Sequence, residues 1–375
     1  MNIGIDIRPL MDKIKTGVGE YTFELLNAVF SIDKTNQYFL FYNSNKNISA
    51  NLPKWNYDNV HYVGLNWPNK LLSCLLFLKI LKLNNLAQNH YFKIDLWFSP
   101  NLNFTNLSKN IPYILVIHDL TNELYPHFFT KRQQLRYEII RPKTQCQRAN
   151  LIITPSENTK RDLINLYDIN PDKIKVIYPG LASTFVANNT QPVDLVKTKY
   201  NLPEKFILFL GTIEPRKNIN GLIEAFEQSY SKLPAPHSLV IAGAPGWRNK
   251  NIYNKAQSSP LKDKIKFINY INPEDKPALY KTAALFVYPS FYEGFGFPVL
   301  EAMASRLPII TSNRSSLPEI TNTQVCLINP NNPTDIAKGI TSILNNTKKQ
   351  PREYKIQKFS WKLAAEEWLE YIKNL

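Results

Sequence analysis

Two glutamates separated by seven residues frame a glycine-bearing run, Glu293-Gly294-Phe295-Gly296-Phe297-Pro298-Val299-Leu300-Glu301, in this 375-residue chain. A β-branched, aromatic stretch at 285–288 and the turn Pro289-Ser290 lead into it. Pro298 suits the first position of a helix, so Glu301 is expected in that helix's first turn and Glu293 in the preceding loop. Gly294 and Gly296 allow close backbone approach or positive φ. Such a turn aims free N–H groups and a helix N-terminus at an anion, with two carboxylates beside it to accept hydrogen bonds from sugar hydroxyls. A strand-to-helix turn with a dipole-favoured glutamate would suffice for a lone Gly-x-Gly. The full string, with Tyr292 before it and Ala302-Met303-Ala304 after it, favours a site.

Gly211-Thr212-Ile213-Glu214-Pro215-Arg216-Lys217-Asn218 lies between an expected strand at 206–210 and a helix beginning near Ile219. Arg216 and Lys217 at a helix N-terminus combine point charges with free N–H groups, a natural clamp for a diphosphate, where the plain alternative is a solvated charged turn. Gly17 and Gly19 are placed in the loop joining the first strand to the first helix. No third glycine follows at dinucleotide-binding spacing, which argues against a nicotinamide cofactor. His118-Asp119 ends an expected strand at 113–117, on a carboxyl edge where ligands collect.

These residues need elements to hold them. Expected strands fall at 3–7, 38–42, 96–98, 113–117, 151–154 and 175–178, then at 206–210, 238–242, 265–267, 285–288, 308–311 and 325–328. Periodic apolar segments, among them 21–30, 131–147, 160–166, 219–230, 276–283, 298–305 and 333–344, alternate with them as helices. That alternation implies α/β units with parallel sheets and right-handed crossovers. The polar stretch 182–202 separates the two series. The expected layout is a Rossmann-like domain over 1–185, a second over 200–355, and a C-terminal amphipathic helix over 359–375 crossing back to the first. A chain of this length suits two cores.

Formal net charge is +15, with 23 Lys and Arg against 15 Asp and Glu in residues 1–200 and 22 against 15 in residues 201–375. So even an excess suits anionic partners such as sugar nucleotides, acidic lipid or nucleic acid. Cys74, Cys146 and Cys326 fit no zinc spacing and cannot all pair, and the five histidines are scattered. A metal held by the protein alone is not expected, and a reduced compartment is. The start reads as a strand, without the basic and apolar regions of a signal peptide, and no apolar run nears the roughly 20 residues that span a bilayer. The expected location is cytoplasmic. Segment 71–83 is apolar nearly all round and bears two lysines; it reads as a buried core helix ahead of the alternative, a surface that meets acceptor or anionic lipid. Segment 131–148 carries Lys131, Arg132, Arg136, Arg141, Lys143 and Arg148 against Glu138, and suits either a solvated face or an anionic membrane surface.

The run from Pro289 to Met303 resembles the signature of retaining glycosyltransferases of family 4, two glutamates in a Glu-Gly-Phe-Gly context. The resemblance implies a GT-B fold, two Rossmann-like domains facing across a cleft, with the nucleotide held mainly by the C-terminal one. It implies that Glu293 meets donor-sugar hydroxyls, that Glu301 holds the nucleotide ribose, and that Phe295 and Gly296 approach sugar and diphosphate through backbone amides. Gly17, Gly19 and Gly211 would lie near the donor, and His118 beside the donor sugar without a nucleophilic role. Relatives often carry Arg directly after the glycine at 211, where this chain has Thr212, so Arg216 either takes that part beside Lys217 or points elsewhere. The Glu214-Pro215-Arg216-Lys217-Asn218 wording, with Tyr125-Pro126, is similar to a subgroup of O-antigen and polysaccharide mannosyltransferases. That subgroup implies GDP-mannose as donor, a glycan or lipid-linked oligosaccharide as acceptor, and neither cofactor nor metal. The alternatives are a UDP-sugar donor, another GT-B enzyme such as a nucleotide-sugar epimerase, and a non-enzymatic nucleic-acid-binding protein. For the last, no helix-turn-helix, zinc-finger or RNA-binding signature is present.

Overall fold

The structure, a computed structural model, describes residues 1–13, 16–48, 50–88, 92–186, 191–321, 325–346 and 353–375. Part of the expected boundary stretch, 187–190, lies outside the described residues. The chain forms two compact units, Met1–Leu120 with Lys131–Gly180 and Lys358–Leu375, and Thr121–Thr130 with Leu181–Gln357. The short segment Thr121–Thr130, inside the range expected for the N-terminal domain, thus belongs to the second unit.

The first unit holds β1 (Asn2–Asp6), β2 (Gln37–Asn43), β3 (Val60–Leu65), β4 (Leu96–Ser99), β5 (Tyr113–Val116), β6 (Leu151–Thr154) and β7 (Ile174–Val176). Their order is β3-β2-β1-β4-β5-β6-β7, and every pairing is parallel. The second unit holds β8 (Phe206–Leu210), β9 (Ser238–Ala242), β10 (Ile265–Ile268), β11 (Leu285–Tyr288), β12 (Ile309–Ser312) and β13 (Cys326–Ile328), in the order β10-β9-β8-β11-β12-β13, again all parallel. Strands such as β4, β5, β6, β8, β11 and β12 are buried along their whole length, because helices on both faces of a parallel sheet leave neither face wet. In each sheet the strand order reverses once, between β1 and β4 and between β8 and β11. These are the two places where a doubly wound sheet opens a crevice at its carboxyl edge.

All twelve strands expected from sequence are present, with ends within two residues. The additional one, β3, is an edge strand with half its residues exposed, so it lacks the continuous apolar run of its neighbours. The helix expected over 131–147 is two helices, Lys131–Ile140 and Pro142–Arg148. A proline disfavours the α conformation in the residue before it, and Arg141 accordingly takes φ +54. Segment 71–83 is not the buried core helix expected. A helix runs only over Asn69–Phe77, buries Leu72 and Leu76, and leaves Leu71, Phe77, Leu78 and Ile80 exposed.

The last helix, Trp361–Lys373, belongs to the first unit, where it packs against the helix Gly17–Ile32. It buries Trp361, Ala364, Ala365, Trp368 and Ile372, one stripe at helical spacing, with Trp368 edge-on to Phe98 at 5.2 Å. Gly180 makes room for it, since a Cβ there would lie 2.2 Å from the Trp361 nitrogen.

Candidate active site

In the second unit, β8 delivers Gly211 to the switch point and β11 delivers the segment ending in Glu293. The backbone of Gly211 is pressed against Gly243, whose φ is +141 and whose absent Cβ would stand 2.0 Å from the Gly211 oxygen. Gly243 is a required glycine that carries no recognisable sequence motif. Pro215–Lys217 then forms a single 3-10 turn, Asn218 takes φ +55, and the helix Ile219–Ser229 begins. Arg216 and Lys217 therefore stand on the turn before the helix.

That turn aims both cations at Glu293. Lys217 Nζ donates to Glu293 Oε1 and to the Tyr288 hydroxyl, each at 2.6 Å, and the Tyr288 hydroxyl donates to the same Oε1 at 3.0 Å. Arg216 Nη1 donates to Glu293 Oε2 at 2.7 Å and to the Tyr292 carbonyl at 2.8 Å, while its Nε and Nη2 grip Glu214 Oε1 at 3.0 and 2.7 Å. All of this is nearly dry, with Lys217 and Glu293 both 6% exposed and Glu214 1%. Burial alone would raise the Glu293 carboxyl, but the charges of Arg216 and Lys217 outweigh it and hold the pKa at about 2. Burial, then repulsion from Arg216, pushes Lys217 down. Burial, then the charge of Glu293, pushes the Tyr288 hydroxyl well above its ordinary range.

The loop beyond Glu293 is clasped by two serines. Ser315 Oγ accepts from the Glu293 N–H at 2.9 Å, and Ser316 Oγ reaches the carbonyls of Glu293 and Phe295 at 3.0 and 2.6 Å. Gly296 caps the next helix with φ +117, where a Cβ would meet Leu317 Cδ2 at 2.8 Å. That helix is Phe297–Ala304, so Pro298 is its second residue and Glu301 its fifth. The first-turn position expected for Glu301 is corrected by one step, because the positive φ at Gly296 lets the helix start before the proline. Glu301 lies 3% exposed between Lys276 Nζ, at 2.8 Å from Oε1, and the Tyr280 hydroxyl, at 2.9 Å from Oε2. The two carboxylates thus have separate cation partners.

Arg216, Lys217 and Glu293 are brought together, with Gly211, Gly294, Phe295 and Gly296 in the same two runs. Glu214, Tyr288, Lys276, Tyr280, Ser315 and Ser316 complete the arrangement without having been singled out in the sequence. A glutamate two residues before an arginine on a tight turn was the visible hint for Glu214. For Tyr288 the hint was a hydroxyl at the last position of β11.

Gly17, Gly19 and His118 belong to the first unit. Gly17 and Gly19 are not loop residues but the first and third residues of the helix Gly17–Ile32, whose opening N–H groups lack intrahelical partners. Nothing lies within 4 Å of a Cβ built on Gly17. His118, just past β5, has its Nε2 2.8 Å from the Pro100 carbonyl. A carbonyl only accepts, so Nε2 carries the proton and Nδ1 offers a lone pair. Burial lowers the His118 pKa and favours this neutral form, despite opposing contributions from that hydrogen bond and from Asp119. The Tyr21 ring stands edge-on to the imidazole at 4.8 Å, linking His118 to the helix that carries the two glycines. Among the described residues, no three His, Cys, Asp or Glu gather as a metal-binding group.

Two family models match consecutive parts of the chain. Residues 17–184 match the one described as Glycosyltransferase Family 4, and residues 191–358 the one described as Glycosyl transferases group 1. The chain is 31% identical over 234 residues to O-antigen chain mannosyltransferase B of Escherichia coli, covering 62% of this chain and 61% of that protein. It is 30% identical over 270 residues to the serotype-specific mannosyltransferase WbdA of Escherichia coli, covering 69% and 33%. The chain thus spans about three fifths of the first relative's length and a third of the second's. Among solved structures, sucrose-phosphate synthase from Thermosynechococcus elongatus superposes with a TM-score of 0.75 at 18% identity, over 100% of this chain and 98% of that one. Anabaena HepE in complex with UDP and glucose gives 0.71 at 16%, over 100% and 99%. Identities this low establish a shared fold.

Proposed function

The chain belongs to glycosyltransferase family 4 and has the GT-B fold of two Rossmann-like units, and from that premise we propose that it transfers mannose from GDP-mannose, with retention of configuration, to a glycan or lipid-linked oligosaccharide in cell-surface polysaccharide biosynthesis. The observation that carries this reading is the buried Arg216–Lys217–Glu293 network at the β8/β11 switch point. Mannose as the sugar follows the names of the E. coli relatives.

In this reading the donor diphosphate lies against Arg216, Lys217, the Gly211 backbone and the N-terminal turns of the helices after Lys217 and Gly296. Glu293 accepts from sugar hydroxyls and Glu301 from the ribose. Phe295 and Gly296 offer backbone N–H groups. Gly17 and Gly19 present helix N–H groups, and His118 Nδ1 accepts from a donor hydroxyl. The acceptor oxygen bonds to the anomeric carbon on the face the diphosphate leaves, and its proton passes to the departing phosphate oxygen. The negative charge growing on that phosphate is what the fixed cations and helix ends stabilise, and one such group is worth roughly 10²–10³ in rate. These groups supply the positive charge a metal would otherwise bring, so turnover is expected to survive EDTA.

The acceptor side of the reading is a peripheral membrane contact on the cytoplasmic face. Exposed Leu71, Phe77, Leu78 and Ile80 are interleaved with exposed Lys70, Lys79 and Lys82, and the Arg141 guanidinium sits 5.4 Å over the Phe77 ring, joining this surface to the basic helices 131–148. Apolar side chains rimmed by cations suit an anionic bilayer. Among the described residues no helix is long and apolar enough to cross one. Co-sedimentation with phosphatidylglycerol vesicles but not phosphatidylcholine vesicles is expected, and no preference between them would remove this part.

A thermal-shift panel of GDP, UDP, ADP and their sugars tests the donor, followed by proton NMR of the anomeric product. Stabilisation by GDP and GDP-mannose alone, with an α-linked product, is expected. Selective stabilisation by UDP would replace the donor. Folded protein that neither transfers nor hydrolyses any sugar nucleotide would overturn the proposal.

A further inference from the structure

The loop that carries Glu293 is held on two sides, and one side is a stretch of chain that leaves its neighbours in sequence. Residues Thr121–Thr130 follow β5 and precede the helix Lys131–Ile140, both in the first unit, yet they fold as part of the second. We propose that this arm positions Glu293: Tyr125 and Phe128 brace the 291–293 segment, and Trp247 and Arg248 clamp the arm in place. The inference rests on the reading of Glu293 as a donor-sugar group.

On the inner side, Arg216 accepts the Phe291 N–H on its carbonyl at 3.0 Å and donates to the Tyr292 carbonyl and the Glu293 carboxylate. On the other side stand the arm's rings. Tyr125 packs against Tyr292 at 5.7 Å, Phe128 stacks on Phe291 at 5.5 Å, and Tyr125 and Phe128 stack on each other at 5.5 Å. Each residue leading into Glu293 therefore has an aromatic partner on the arm.

The clamp uses the arm's backbone. Trp247 Nε1 donates to the Phe128 carbonyl at 2.9 Å, and its ring stacks on Phe129 at 5.6 Å. Arg248 Nη1 donates to the carbonyls of His127 and Phe129 at 2.5 and 3.1 Å. Three consecutive carbonyls are thus met by two side chains of one loop. Arg248 does this from φ +53, a conformation that a bulky residue keeps only when its surroundings fix it. The same loop is tied to the cation-bearing run, since Ile213 N–H donates to the Ala244 carbonyl and Gly246 N–H to the Ile213 carbonyl, each at 3.0 Å. The arm therefore rests on both parts of the network, and a small shift of Glu293 would be felt in turnover more than in nucleotide affinity.

The test compares Tyr125→Ala, Phe128→Ala and the milder Trp247→Phe, which keeps a ring beside Phe129 but removes the N–H. Three quantities are read: hydrogen exchange of the 291–294 amides, the GDP dissociation constant, and kcat for transfer. Exchange at 291–294 should quicken about tenfold while β8 and β11 stay protected. GDP affinity should hold, and kcat should fall about 10–100-fold in the alanine variants. Tyr125→Phe, which restores the ring, should recover wild-type kcat. Unchanged exchange in all three variants would overturn the proposal, as would a joint fall of GDP binding and kcat in step with lost folded protein. If wild-type protein turns over no sugar nucleotide while the variants still loosen 291–294, the transfer reading fails and the brace stands.

Discussion

The two sheets reverse their strand order in the same way, yet the candidate ligand groups at their carboxyl edges differ in charge. At β8/β11 the second unit joins Glu214, Arg216, Glu293 and Lys217 in one chain of charged hydrogen bonds. In the first unit a neutral His118, its proton donated to the Pro100 carbonyl, stands just past β5, one strand from the β1/β4 reversal, beside the Tyr21 ring. At the β1/β4 reversal itself Arg8 is engaged by Asp6 at 2.6 Å and by the Phe104 carbonyl at 3.0 Å. Composition does not produce this contrast, because the charge excess is nearly equal in the two halves of the chain. Topology fixes where a site can form, and the loop residues decide whether it is charged or neutral. In the proposed reaction the charged point meets the diphosphate through its cations and the sugar through Glu293.

Removing one cation should break the contrast most severely. Lys217→Met leaves Glu293 and Tyr288 buried without their ammonium partner, and breaking a buried pair on one side costs about 3–5 kcal/mol of stability. Turnover of material that remains folded should fall roughly 10²–10³-fold. Urea unfolding and initial-rate kinetics check both. A variant as stable and active as the parent would mean that the network is ornamental.

The two points should also answer pH in separate windows. The folded-state pKa of Glu293, about 2, lies below its usual 4.5. Its contribution is therefore complete above pH 4.5 and fades as pH falls towards 2, by about 3 kcal/mol in all at 1.36 kcal/mol per pKa unit. His118 is lowered from its usual 6.5 by burial, so the fold resists its protonation and loses stability as pH falls below 6.5. Urea titrations between pH 7.5 and 3 should show Glu293→Gln flattening only the lower part of the profile, and His118→Asn only the upper part. Interchanged or unaltered slopes would dissolve the distinction.

Part of this contrast was readable in the sequence. Buried parallel strands announce themselves as short β-branched runs, and the Glu293–Glu301 string and the Pro-Arg-Lys turn carry local signals. Their partnership does not, since Lys217 and Glu293 are 76 residues apart and meet only because β8 and β11 are neighbours. Glu301 sits one step further into its helix than the proline implies, because the helix can begin at Phe297 when Gly296 supplies the positive φ. The arm at 121–130 was unreadable for another reason. Its rings would suit any core, and nothing local says that their partners are Phe291, Tyr292 and Trp247.

Within the second unit, the separate clasps on the two glutamates allow a finer division. Glu301 is held by Lys276 and Tyr280, Glu293 by Arg216, Lys217 and Tyr288. Glu301→Gln should weaken GDP binding roughly 10–150-fold, because a hydrogen bond to a charged group is worth about 1.5–3 kcal/mol. Glu293→Gln should leave GDP affinity nearly intact and depress turnover. Calorimetric GDP titration beside kcat separates the two, and equal losses of both quantities in both variants would merge the roles.

The smallest expected effect probes the neutral point through Gly17. A Cβ there meets nothing within 4 Å, the opposite of Gly296, where it would strike Leu317. Gly17 opens its helix without a left-handed φ, so alanine fits the backbone as built. Restricting the unfolded chain should then raise stability by about 0.4–1 kcal/mol. If the Gly17 N–H approaches the donor, the added methyl should instead show as a higher KM for the sugar nucleotide, with stability still raised. A rise in stability with unchanged KM would place the donor away from this helix start and leave His118 as the neutral point's contact.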